Sequence, residues 1–356
     1  MIKYIGSKRT LVPHIVALAS AIRERSGART VADLFTGTTR VAQGLKSAGF
    51  HVTANDLAAY AEVFAIAYIE ADAAAVDLTA VRAKIRALEA LPGVDGYFTQ
   101  TFCAEARYFQ PVNGRRIDAM RPAIDRMSSD RIEHAVLLTA LVEAADRVDS
   151  TTGLQMAYLK EWAPRATQPL ALRVPALLPG GGRALRSDAN RLASTMAAVD
   201  IAYLDPPYNQ HSYHANYHVW ETLVRGDAPE AYGVARKRID CRTIKSDYNA
   251  KGRAWDAFTN LVRTLPAAHL IVSFNDEGFF AFDDILGLLA DAKGDAAAVP
   301  VRFKRYVGAQ IGIHNPQGER VGTVSHLTNH EFLFVAGPFA SAIVDEASRG
   351  FAVATR

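Results

Sequence analysis

Along residues 1–56 the apolar positions change period more than once. In "RTLVPHIVALASAIRE" they recur at helical spacing, which predicts an amphipathic helix. "TVADLF" is a short apolar run ending in an acid and an aromatic, the pattern of a buried strand. "TGTTRVAQGLKSAG" reads as a turn opening a helix that closes on Gly49, and "FHVTAND" predicts a second strand ending on Asp56. Strand, helix and strand within roughly thirty residues form the βαβ unit of a parallel sheet.

From Leu57 to about Arg173 the texture is Ala-rich and helical, as in "AAYAEVFAIAYIEADAAA", "LTAVRAKIRALEAL" and "RIEHAVLLTALVEAADRV". No strand pattern stands out there, and "RVPALLPGGGR" reads as the linker that leaves it. Strand patterns return with "ALRSDANRL", "VDIAYLDPPY", "HLIVSFNDEG" and "HEFLFVAG". The expected fold is therefore α/β, a Rossmann-like sheet built discontinuously from 1–56 and 180–356, with a large helical insertion over 57–179.

Composition changes this picture little. Hydrophobic residues make up 49% of the 356, enough for a sizeable core. The two cysteines, Cys103 and Cys241, lie far apart without partners at metal-ligand spacing, so neither a disulfide framework nor a metal site is expected. The opening "MIKYIGSKRTLVPHI" lacks a signal-peptide run and no later stretch approaches a membrane span, which leads to the expectation of a cytoplasmic chain without membrane contact. A net charge of +3 is too small to name a partner, so the placement of charge has to do so.

Three short stretches carry candidate chemistry. In "DLFTGTTR", Gly37 lets the backbone approach a ligand, and the following helix offers free amides. Asp56 ends the next strand 19 positions later, close to the offset at which an acid meets ribose hydroxyls in nucleotide-binding βαβ units. The same pattern is ordinary in α/β proteins without nucleotides; G-x-G-x-x-G is absent, which favours a smaller adenosine cofactor over a dinucleotide. "YIGSK" joins an aromatic, a flexible pair and a cation, or is simply a frayed terminus. In "IAYLDPPYNQ" a core strand stops on Asp205, Pro206, Pro207 and Tyr208. The prolines make a rigid corner, where a carboxylate and a peptide carbonyl can converge on one exocyclic amine beside the stacking face of Tyr208. The plainer alternative is a strand-ending turn that caps a helix.

At these motifs the chain resembles the adenine-specific DNA N6-methyltransferases that use S-adenosyl-L-methionine, most closely the modification methylases of type II restriction systems. The resemblance runs in order through "YIGSK", "DLFTGT", the insertion, "SDA" and "DPPY", and takes in "NQHSYHANYHVWET", "KSDYNAKGRAWDAF" and "SFNDEG". It implies that Tyr4 and Lys8, with Asp33, Phe35 and Gly37, help hold the cofactor's amino acid part. Asp56 would bind the ribose and Asp188 the adenine amine; Gly6, Thr38 and Asp205 would line the same site. Asp205, Pro206, Pro207 and Tyr208 would hold and orient a flipped target adenine. The departure is Thr39, where the family usually carries a second glycine.

Double-stranded DNA is the implied substrate, and the sequence leaves open whether a cognate restriction endonuclease accompanies the chain. Arg225 to Arg253 carries eight basic residues against four acids, so the segment 209–254 is expected to contact the phosphate backbone through Arg236, Lys237, Arg238, Arg242 and Lys245. A solvated basic loop is the alternative. A second basic strip supplies Arg302, Lys304 and Arg305. The insertion is a further candidate for target recognition. For Tyr217 and Trp220, spaced three apart, core packing is expected. Two rival readings are the same chemistry on structured RNA, and a silent DNA-binding protein of the same fold.

Overall fold

The computed structural model describes residues 2–6, 8–207, 209–275, 278–304, 313–314, 320–322 and 328–354; within 302–330 and beyond 349 it describes the backbone alone. Ser7, Tyr208, Asp276, Glu277 and Arg305 lie outside the described residues, and so do the side chains of Arg302 and Lys304.

The apolar runs become a seven-stranded mixed sheet. Its strands are β1 (Thr30–Asp33), β2 (His51–Asp56), β3 (Arg183–Arg186), β4 (Val199–Leu204), β5 (Ala267–Asn275), β6 (Ala296–Lys304) and β7 (Thr328–Ala336), in the order β3-β2-β1-β4-β5-β7-β6. The first five are parallel, and β7 runs antiparallel between β5 and β6. This is the Rossmann-like sheet expected, drawn from both ends of the sequence. β6 was not foreseen: "AAAVPVRFK" holds a proline and a basic tail. Pro300 is tolerated because β6 is an edge strand, where a missing amide donor need not break a ladder.

The order of strands reverses between β1 and β4, and ligands bind at such a switch point, beyond the carboxyl ends of the strands. Everything that ends near it is therefore a site candidate: Asp33, Asp56, Ser187 after β3, and Asp205.

Helices cover both faces. On one lie α1 (Val12–Ser26), α2 (Arg40–Ser47) and α3 (Ala59–Ala65), followed by α4 (Leu78–Glu89), α5 (Pro111–Met127) and α6 (Arg131–Arg147) from the insertion. α7 (His218–Arg225) joins them after the Asp205 corner. The other face is covered by α8 (Lys251–Thr264) and α9 (Phe282–Lys293), and α10 (Ala340–Ala354) returns to the first. α6 is apolar nearly all round and buried accordingly, as a helix at the centre of a core must be. One continuous core joins Val31, Val52 and Ile201 of the sheet to Ile117, Leu137 and Leu141 of the insertion. The helical block is thus packed onto the sheet, with no separate core of its own.

The N-terminal segment is tied to this block. The Lys3 amide donates to the Asp146 carboxylate at 3.2 Å, and Lys3 Nζ lies 3.0 Å from Asp146 and 3.2 Å from Asp149. That anchor fixes Tyr4 one residue on, where it stacks on Tyr217 at 4.4 Å and on Tyr213 at 5.5 Å. Tyr217 and Trp220 are both fully buried, as core packing requires.

Candidate active site

A cleft of about 1100 Å³, partly open to solvent, lies over the carboxyl ends of β1, β2, β3 and β4. The N-terminal segment supplies Tyr4, Gly6 and Lys8 to its wall; the turn after β1 supplies Asp33, Phe35, Gly37 and Thr38. Asp56, Asp188, Asp205 and Pro207 complete the lining among the residues expected from sequence, while Pro206 is buried behind them. Residues 188 and 205 are separated from residue 33 by the whole insertion, so their convergence is a product of the fold.

The turn after β1 needs its glycine. Gly37 sits at φ +50°, and a Cβ there would lie 3.2 Å from the Tyr4 ring. Its amide donates to Asp56 Oδ2 at 2.9 Å, and the Ala58 amide donates to Oδ1 at 3.0 Å, so Asp56 braces the loops after both β1 and β2. At Thr39, where the family usually carries glycine, the backbone is also left-handed, φ +63°. The Thr39 hydroxyl donates to the Thr38 carbonyl at 2.6 Å and accepts from Gln43 at 2.8 Å, bonds that hold the strained residue in place. The left-handed backbone that glycine would favour is therefore adopted by threonine at this turn. Asn55, which sequence reasoning passed over, is buried and donates to the carbonyls of Leu34 and Ser187, pinning the ends of β1 and β3 to β2.

The electrostatics are dominated by carboxylates. Asp33 is 1% exposed, and neither oxygen makes a hydrogen bond of good geometry among the described residues, although the Thr36 hydroxyl and the Phe35 amide lie close enough to favour its charged form. Burial pushes its pKa up to about 7, and the charge of Asp205 adds to this. Burial also raises Asp56. Asp205 is raised to about 6, by burial first; Lys8 pulls it down and Glu331 pushes it up. A buried acid without a partner is costly unless a ligand supplies one. The cleft is accordingly built to receive positive charge and hydrogen-bond donors.

Lys8, expected from the resemblance near the cofactor's amino acid part, lines the cleft beside Tyr4 and Asp33. Its ammonium is buried between Asp205, at 3.0 Å, and Glu331. A buried ammonium needs compensation, and two acids provide it at the floor of the cleft. Arg40, also missed, lines the cleft at the start of α2, and its buried Nε has no hydrogen-bond partner among the described residues. On the far wall Phe35 meets Tyr248 edge-on at 5.2 Å, and Tyr248 donates to Asn190 at 2.7 Å. Asp188 exposes its side chain there and caps the short helix Ala189–Ala193 through the Arg191 amide. Tyr208, expected to stack on the target base, lies outside the described residues.

The basic segment differs from expectation. Arg238 is 1% exposed; its guanidinium donates to Asp227 at 2.6 and 2.7 Å and to Asp240 at 3.1–3.3 Å. It holds the segment together and is removed from the set of DNA contacts, because a buried, doubly paired cation cannot reach a phosphate. Arg225 lies within 3.0 Å of the same two aspartates, and Arg236 is paired with Glu105. Burial pushes the Asp240 carboxyl up, but the hydrogen bonds and charge of Arg238 and His214 outweigh it and hold Asp240 down at about 2. Arg242 and Lys245 are exposed, and Arg242 lies 4.3 Å over the Tyr232 ring; Lys237 is half-buried. His214, Asp240 and Cys241 bring possible metal-ligand atoms within 4.8 Å of one another, but Asp240 already serves two guanidiniums. His218 is buried against the Gln155 carbonyl, and burial lowers its pKa to about 3, so it stays neutral. Among the described residues no helix is long and apolar enough to cross a membrane.

Comparison with known proteins agrees with this geometry. Modification methylase StsI of Streptococcus sanguinis is 31% identical over 309 residues, 82% of this chain and 47% of that protein. Type II methyltransferase M.NlaIII of Neisseria lactamica is 29% identical over 344 residues, 93% of this chain and 97% of the relative. For type II methyltransferase M.FokI of Planomicrobium okeanokoites the figures are 29% over 306 residues, 81% and 46%. The chain thus spans about half the length of StsI and M.FokI and nearly all of M.NlaIII. Residues 4–274, which include every cleft-lining residue named above, match the profile of the D12 class N6 adenine-specific DNA methyltransferases, and the chain belongs to that family.

Proposed function

We propose that the protein transfers a methyl group from S-adenosylmethionine to the exocyclic amine of an adenine flipped out of duplex DNA. The observation that carries this reading is the placement of Asp205 in one cleft with Asp33, Asp56 and Asp188, at the switch point of a methyltransferase sheet. When bound, the cofactor supplies an electrophilic methyl on a cationic sulfonium. The residues fit such a molecule. Asp33, buried and without a hydrogen bond of good geometry, suits its ammonium group, and Arg40 suits its carboxylate. Asp56 lies where ribose hydroxyls would reach it, and Phe35 and Tyr248 wall the place for an adenine ring beside Asp188.

Asp205 and the Pro206 carbonyl act on the target amine. By accepting its two protons they hold the nitrogen in position with its lone pair free, so rate comes from orientation more than from acid–base work. After transfer the extra proton passes to solvent. Extrusion of the base costs a few kcal/mol, which stacking, roughly 1–3 kcal/mol per base, and backbone contacts offset. Lys237, Arg242 and Lys245 are the residues of the 209–254 segment left for phosphate contact, and the insertion over 57–179 remains the proposed reader of the target sequence. A DNA substrate would place the enzyme in the cytoplasm. The test is to offer duplex DNA and structured RNA with labelled cofactor and to identify the modified nucleoside. N6-methyladenine in DNA supports the reading; label in RNA alone would move the substrate, and none in either would leave a binding protein.

A further inference from the structure

Glu331 belongs to β7, beyond the stretch that matches the family profile, and no motif of the sequence points to it. It is nonetheless 2% exposed, paired with the buried Lys8, and accepts from the Ser273 hydroxyl of β5 at 2.5 Å. Lys8 in turn lies 3.0 Å from Asp205. Two carboxylates therefore share one ammonium inside the protein, and the group of three carries a net negative charge when all are ionised.

That sharing has a chemical consequence. A lysine paired with Asp205 alone would spend its whole charge there and weaken the carboxylate as an acceptor for an amine. A second carboxylate divides the ammonium, so Asp205 keeps negative charge to offer the substrate. We propose that Glu331 is a positioning residue for methyl transfer: through Lys8 it sets how strongly Asp205 accepts the target amine. This rests on the function proposed above. Among the described residues, the charged and titratable groups acting on Asp205 or acted on by it are Lys8 from the N-terminal segment, Glu331 from β7, Asp33 from β1 and Tyr203 from its own strand. Of the two acids beside it, Glu331 is the one that also touches Lys8.

The deciding variant is E331Q, which keeps an oxygen for Lys8 and Ser273 and removes only the charge. Single-turnover transfer to duplex DNA is followed from about pH 5 to about pH 9 beside cofactor affinity, where the acid limb reports ionisation of the acceptor. In the wild type an acid limb appears, since Asp205 must be ionised to accept, and burial holds its carboxyl above the usual carboxylate range. In E331Q the limb moves to lower pH, because the undivided Lys8 favours the charged aspartate. The plateau rate falls by about tenfold, or about 1.4 kcal/mol at the barrier, because an Asp205 holding the whole Lys8 charge accepts the amine less strongly, while cofactor affinity stays close to wild type. S273A, which leaves Glu331 its charge with one donor fewer and so a firmer hold on Lys8, gives a smaller shift of the opposite sign, to higher pH, and decides the matter should E331Q fail to fold. A wild-type rate and acid limb in the folded variants overturn the proposal. A wild type that transfers to no adenine overturns the function itself, and this role with it.

Discussion

The cleft and the basic segment handle charge in opposite ways. In the cleft, Asp33 is buried with only the Thr36 hydroxyl and the Phe35 amide to favour its charge, and Asp56 and Asp205 stay above the usual carboxylate range despite two amides on the one and Lys8 beside the other. In the segment from Arg225 to Arg253 much of the charge is paired internally: Arg225 and Arg238 clasp Asp227 and Asp240, and Arg253 pairs with Asp247 at 3.1 Å. Charge left uncompensated marks a place built for a ligand, whereas charge already compensated marks structure. A count of basic residues does not separate the two.

The largest effect expected from this contrast is at the corner. Asp205→Ala should lower methyl transfer by about 100- to 1000-fold, the scale of losing one preorganised group aimed at the reacting atom, with cofactor binding still measurable by calorimetry. Lys8 keeps Glu331 as a partner in that variant, so the fold should survive. Normal turnover would remove Asp205 from the chemistry.

Next is Arg238. Arg238→Met should destabilise the protein by about 3 kcal/mol, the low end for removing one member of a buried ion pair, since Asp227 and Asp240 remain partly exposed. Denaturant titration measures this, and the salt dependence of DNA binding should not change. A lower salt slope in a fully folded variant would return Arg238 to the interface. Linkage adds a pH signature. Asp240 titrates near 2 when folded and near 3.9 when unfolded, so its contribution is complete above about pH 4 and fades as pH drops through 2.

Asp56→Ala should weaken cofactor binding by at least about tenfold, or about 1.5 kcal/mol, the lower value for hydrogen bonds to a charged group. It would remove the proposed ribose partner, and it frees the Gly37 and Ala58 amides together. Unchanged affinity would shift the cofactor away from the end of β2. The smallest effect is expected at the exposed cations: Arg242→Ala and Lys245→Ala should each lower the salt slope of DNA binding by about 1 without altering fold stability. Slopes equal to wild type would leave the segment without phosphate contacts.

How much of this was legible in the sequence follows from range. β1, β2, β4, β5 and β7 announce themselves as apolar runs, and the Gly37 turn and the Asp205 corner are local strings whose residue types dictate their geometry. β6 was hidden by Pro300 and a basic tail, tolerable only because the strand sits at the sheet edge. Lys8, Asp205 and Glu331 meet across most of the chain, and no local pattern records such a contact. The pairing of Arg238 with Asp227 and Asp240 spans fewer than a dozen residues, yet the sequence shows only the charges and not which of them touch. Thr39 is the reverse case: it departs from the expected glycine while the backbone keeps a glycine-like φ.

The most direct measurement incubates wild type and Asp205→Ala with duplex DNA and S-adenosylmethionine labelled in its methyl group, then digests the DNA to nucleosides. The account predicts label on adenine N6 that accumulates at least about 100-fold more slowly with Asp205→Ala than with wild type, with both proteins binding the cofactor. Label on cytosine, or equal labelling by the two proteins, would contradict it.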